Sequence, residues 1–145
     1  MASQYHFYFS SRGQPDSLRA SWEGSRFFDR LGPDEVAVGS FRPATEISQE
    51  ILREAFGVEI DSALSFKLDK FQIEGAVQLL ADVFSHWVLP LEGDFVGLKD
   101  GELAVVYRHA GRVVRQRTGL PPFWDEIWSV PFQSIPHELA DIPVL

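Results

Sequence analysis

The chain has 145 residues, 45% of them hydrophobic and 13% aromatic, which supplies one folded domain with a real core and leaves little length for a second. Its formal net charge of −8 disfavours direct nucleic-acid binding, because a phosphate backbone repels such a surface, and the lack of cysteine excludes disulfides and thiolate metal sites. The start, MASQYHFYFSS, has no basic segment or continuous apolar run, and no stretch reaches the roughly 18 apolar residues of a membrane span, so the sequence reads as a soluble, cytoplasmic protein.

Tyr5 to Phe9 is a strand by its aromatic content, apolar on both sides and therefore expected near the middle of a sheet. Leu18, Trp22, Phe28 and Leu31 have near-helical spacing behind Asp16 or Ser17 as a cap, although Gly24 and Ser25 interrupt the pattern. Glu35 to Phe41 is a short strand that Pro43 should end. Thr45 then caps a helix whose apolar stripe is Ile47, Ile51, Leu52, Ala55 and Phe56, with Gly57 at its left-handed end. Ala63 to Lys70 alternates, with Leu64, Phe66 and Leu68 on one side and Ser65, Lys67 and Asp69 on the other. A second helix over about 74–89 carries Ala76, Val77, Leu80, Val83, Phe84, Trp87 and Val88, and Pro90 stops it.

Asp94 to Arg117 reads as a three-stranded meander turning at Asp100-Gly101 and Ala110-Gly111. Two-residue turns there set Lys99 against Glu102, Leu98 against Leu103 and Val96 against Val105, then His109 against Arg112 and Tyr107 against Val114. Alternation assigns Val96, Leu98, Leu103, Val105, Tyr107 and Val114 to a core face and leaves the face of Arg108, Arg115 and Arg117 half wet. Residues 119–145 hold five prolines and two tryptophans and read as a segment wrapping the sheet. The resulting expectation is a single α+β domain spanning residues 1–145. Its mainly antiparallel sheet has five or six strands, with the helices near 45–56 and 74–89 packed on one face.

Charge is uneven along the chain. Residues 103–124 contain four arginines and no acid, whereas residues 125–145 contain four acids and no base. The acids Asp94, Asp100, Glu102, Asp125 and Glu126 and the bases Arg108, Arg115 and Arg117 are therefore the candidate partner-binding residues. The arginines could equally protect an outer strand from edge pairing, and Lys99 accounts for Glu102 as a cross-strand partner. The acids near the first turn offer too few oxygens for a calcium loop. Asp82 and His86 share a helical face, as a carboxylate-oriented base or as a solvated pair. With no phosphate-binding loop, nucleophile elbow or zinc spacing, no catalytic, cofactor or metal residue is expected.

The segments SFKLDKF (65–71) and GDFVGLKDGELAVVYR (93–108), with the amphipathic helix between them, resemble the immunity proteins of bacterial polymorphic-toxin systems, and among these the swarm-inhibition group. The resembling pieces are Phe66-x-Leu68-Asp69-Lys70-Phe71 and Gly93-Asp94-x-Val96 with Asp100-Gly101-Glu102. The resemblance implies a non-catalytic protein that binds and neutralises one cognate toxin domain. Two alternatives come from other classes: a small-molecule or regulatory binding module with a pocket lined by Trp22, Trp124 or Trp128, and an enzyme with an acid/base pair assembled in space around His86 or His109.

Overall fold

The computed structural model describes residues 4–28, 37–68, 73–117 and 130–145. Strands β1 (Gln4–Phe9), β2 (Ala37–Pro43), β3 (Ser62–Leu68), β4 (Phe95–Lys99), β5 (Leu103–His109), β6 (Arg112–Gln116) and β7 (Glu138–Ala140) form one sheet. Its order is β2-β3-β1-β4-β5-β6-β7. Every neighbouring pair is antiparallel except β6 and β7, which run parallel. The helices are α1 (Pro15–Glu23), α2 (Glu46–Phe56) and α3 (Ile73–Val83), the last running into a π-helical turn over Phe84–Val88. The α+β class follows directly. β1 lies between β3 and β4, as its apolar residues on both sides require. Pro43 is the last residue of β2 rather than the breaker before its end, and an edge strand tolerates its missing N–H.

The two principal helices do not share a face of the sheet. Phe7, Phe9, Leu64, Phe66, Leu68, Phe95 and Val113 point to one side, where Trp22 of α1, Ala76 to Val83 of α3, and Phe84, Trp87 and Val88 of the π turn cover them. Tyr8, Ala63, Val96, Leu98, Ala104 and Val114 point to the other, under Leu52 and Phe56 of α2 and Ile142 of the C-terminal segment. Both faces are therefore core, and neither side of the meander is half wet. The reason is chain connection: α2 and α3 flank β3 in sequence and cross opposite sides of it. Trp22 packs edge-on against Phe66 and Trp87 at 5.9 and 5.5 Å and is 1% exposed, so it belongs to the interior. Trp124, Trp128, Asp69, Lys70 and Phe71 lie outside the described residues.

The first turn of the meander differs from its expected register. Asp100 (φ 53°) and Gly101 (φ 75°) make the turn, and Glu102 N–H donates to Lys99 O at 3.1 Å. The ladder then pairs Lys99 with Leu103 and Leu98 with Ala104, shifts once more, and pairs Gly97 with Val106 and Val96 with Tyr107. Val105 is the extra residue of a β-bulge, and it changes face: it joins the α3 side while Ala104 joins the α2 side. A Cβ on Gly97 would sit 3.2 Å from both Val105 Cγ2 and the Phe7 ring, so the bulged valine occupies room that only glycine leaves. The second turn has the expected pairing, His109 with Arg112 and Tyr107 with Val114.

Candidate functional site

The sequence-selected charges fall at two ends of the sheet. Asp94 precedes β4 and Asp100 follows it, about 20 Å away along an extended strand, so the three acids of the meander form no single acidic end. Asp94 lies instead at the end that carries Arg108. Its carboxylate accepts from Glu59 N–H at 3.0 Å and Ala110 N–H at 3.2 Å, and His109 Nδ1 is 3.6 Å away. Asp94 thus ties the loop after α2 to the β5–β6 turn. Asp100 accepts from Gln4 N–H at 2.9 Å and donates its own N–H to Gln4 O at 2.7 Å, which clamps β1 to the first turn. The Glu102 side chain is exposed, and its carbonyl accepts from Leu145 N–H at 3.0 Å. Asp125 and Glu126 lie outside the described residues.

The arginines also work inside the fold. Arg108 donates from Nε to Gly93 O at 2.9 Å, from Nη1 to Leu89 O at 3.2 Å and from Nη2 to Leu91 O, with its guanidinium 4.6 Å from the centre of the Phe95 ring. It therefore holds the segment that leads from the π turn back into β4, and burial is the main cause that pushes its pKa below the ordinary arginine value. Arg115, diagonal to Arg108 on the same face, lies over the Phe132 ring at 5.1 Å. Arg117 donates to Leu139 O at 3.1 Å and reaches Asp141 at 4.0 Å, while Arg112 makes a paired contact with Glu138. Arg112 and Arg117 both fasten β7 to β6. The basic island in the sequence is thus largely the means by which the C-terminal segment docks.

Asp82 and His86, a carboxylate-oriented base or a solvated pair by their spacing, each have another partner. Asp82 accepts from Gln78 Nε2 at 3.1 Å, the His86 ring stacks on Phe27 at 6.4 Å, and the π turn begins between the two residues.

Helix α2 presents a different picture. Thr45 Oγ1 accepts from Ser48 N–H at 3.1 Å, and Gly57 closes the helix in the left-handed conformation, both as the sequence predicts. The apolar stripe, however, divides. Leu52 is 2% exposed and Phe56 packs with it, whereas Ile47 and Ile51 are 71% and 46% exposed. Helical spacing sets these isoleucines beside Glu46, Glu50 and Glu54, which are also exposed. The one base of the helix, Arg53, is held by Glu59 through Nε at 2.9 Å and Nη2 at 3.2 Å. The outward side of α2 is therefore two aliphatic side chains bordered by three carboxylates.

A second arrangement joins residues that no sequence motif connects. Ser40, Ser65 and His6 are register partners across β2, β3 and β1 on the α2 side of the sheet. Ser65 Oγ is 2.8 Å from His6 Nδ1 and accepts from Arg42 Nε at 3.1 Å, and Arg42 Nη2 is 3.4 Å from Tyr8 Oη. Ser65 Oγ has one proton and two lone pairs, so beside its bond from Arg42 it can donate to His6 Nδ1, the arrangement that leaves the His6 N–H on Nε2. Burial, followed by the charge of Arg42, lowers the His6 pKa; Asp100 pulls the other way. A cleft of about 220 Å³ opens here beside Gln4, His6, Ser40, Ser65 and Lys67. Strand alternation marks Ser65 and Lys67 as facing away from the α3 core, but the Ser65 partners His6 and Arg42 are 59 and 23 residues away and leave no local signal.

Among the described residues no helix is long and apolar enough to cross a membrane. The chain matches no family model, no curated protein and no solved structure.

Proposed function

We propose that this chain is a non-catalytic binding protein of the immunity type, which holds a cognate bacterial toxin domain in the cytoplasm and neutralises it. The observation that carries the reading is the outward side of α2, where Ile47 and Ile51 stand exposed beside Glu46, Glu50 and Glu54. Aliphatic anchors bordered by charges of one sign are the anatomy of a protein interface. The anchors give contact energy on desolvation, and the rim steers a partner of opposite charge. The partner that fits is a basic domain, which the net charge of −8 also attracts. The resemblance of the 65–71 and 93–108 segments to toxin-system immunity proteins gives that partner its class. The contact surface moves from the meander to α2, because Asp94, Asp100, Arg108 and Arg117 already hold the fold together.

Co-expression with the C-terminal domain of the protein encoded immediately upstream tests the reading. The wild-type chain is expected to restore growth and to co-purify with that domain, and an Ile47→Glu/Ile51→Glu double variant that keeps its fold is expected to do neither. Growth arrest despite the wild-type chain would count against the immunity reading itself. Full rescue by the folded double variant would remove α2 as the surface.

A further inference from the structure

The Ser40–Ser65–His6 row carries an inference independent of the α2 surface. Two cations flank the row along the strands: Arg42 is two residues from Ser40 on β2, and Lys67 is two residues from Ser65 on β3, in the opposite direction. Two residues of strand are about 6.6 Å, so both long side chains can reach the hydroxyls between them. Neither Arg42 nor Lys67 has a carboxylate within ion-pair distance among the described residues, whereas Arg12, Arg53, Arg112 and Arg117 each have one. Arg42 instead donates to two hydroxyls, Ser65 Oγ and Tyr8 Oη. After burial, the charge of Arg42 is the next cause that lowers the His6 pKa, and Asp100 acts against it.

We infer that this row binds a small phosphate-bearing anion, with Arg42 and Lys67 supplying charge, Ser40 and the His6 Nε2–H supplying hydrogen bonds, and Ser65 holding His6 through Nδ1. A tetrahedral anion presents several acceptor oxygens, which suits hydroxyl and N–H donors set between two cations. With Nδ1 engaged by Ser65, His6 has Nε2 for the anion, and the cleft it lines is shared with Lys67 and Gln4.

The test is a titration of the full chain with inorganic phosphate and, separately, with glycerol 3-phosphate, read at the His6 imidazole resonances. Saturable shifts at His6, with His109 and His137 unmoved, are expected from at least one of the two. Tighter binding of the ester would make an organic phosphate the ligand, and equal binding would make the phosphate group alone sufficient. Arg42→Gln and Lys67→Gln should each weaken the affinity about tenfold or more. Because Lys67 is exposed, its variant keeps the test valid even if loss of Arg42 disturbs the sheet. Absence of a saturable His6 shift with both anions, or unchanged affinity in the Lys67→Gln variant, overturns the inference. Ile47→Glu/Ile51→Glu should leave the His6 shifts intact, which separates this site from the proposed protein interface.

Discussion

The meander and helix α2 carry charges at comparable density and use them in opposite ways. In the meander, Asp94 accepts two backbone N–H groups, Arg108 donates to three backbone carbonyls, and Arg112 and Arg117 hold the C-terminal strand. On α2, the carboxylates of Glu46, Glu50 and Glu54 point outward beside two exposed isoleucines. A dense run of charge in the sequence therefore marks, in one place, the internal fastening of a strand-rich unit and, in the other, a surface left available. The difference lies in backbone geometry. Turns and strand ends leave N–H and C=O groups that charged side chains can satisfy, while the middle of a helix leaves none.

Substitutions within α2 itself should separate its two sides most sharply. Leu52→Ala removes a fully buried side chain from the core on the α2 side and should cost about 3 kcal/mol, measured by urea denaturation. Ile51→Ala, one residue away and largely outside that core, should stay within about 0.5 kcal/mol while weakening partner binding. Equal losses of stability in the two variants would erase the distinction between the inner and outer sides.

In the meander, Arg108→Ala should lower stability by about 2 kcal/mol, because the carbonyls of Leu89, Leu91 and Gly93 lose a shared charged donor. Arg108→Lys should recover little of it, since one ammonium cannot reproduce the guanidinium fork. Partner affinity should be unchanged in both; a binding loss at constant stability would return the interface to the meander. A smaller effect is expected for Asp94→Asn, about 1 kcal/mol by the same assay, from weaker acceptance of the Glu59 and Ala110 N–H bonds.

The least effect is a pH dependence. The folded-state pKa of His6 lies below its ordinary value of 6.5, chiefly through burial and then through Arg42. Protonation therefore favours the unfolded chain. The His6 contribution is fully present above pH 6.5, declines as pH falls toward the lower folded-state pKa, and levels off below it. His6→Gln should flatten that part of the stability–pH profile. An unaltered profile would show that His6 is not held neutral in the fold.

Much of the local structure was legible in particular residues. Leu64, Phe66 and Leu68 alternate with Ser65 and Lys67, and β3 follows that pattern. Thr45 and Gly57 mark the ends of α2, and Asp100-Gly101 marks a turn. The bulge at Val105 was not legible, because it depends on the space that Gly97 leaves beside Phe7, a residue of another strand. The division of the α2 stripe was hidden for a similar reason. Periodicity sets Ile47, Ile51 and Leu52 near one another but does not say how far the sheet beneath them extends. The hydroxyl row was invisible altogether, since β1, β2 and β3 each contribute one or two of its members.

By itself, then, the sequence determined most of the elements and some of their ends, such as Thr45, Gly57 and the Asp100-Gly101 turn, because helix and strand periods, caps and turns act between residues a few positions apart. It did not place the start of α1 at Pro15, without a cap from Asp16 or Ser17, or the seventh strand, β7, beyond the five or six expected. Tertiary structure alone decided which face of the sheet each helix covers, which charges fasten the chain to itself and which remain outside. Those outcomes depend on register and on strand order, where a single extra residue moves a side chain from one face to the other.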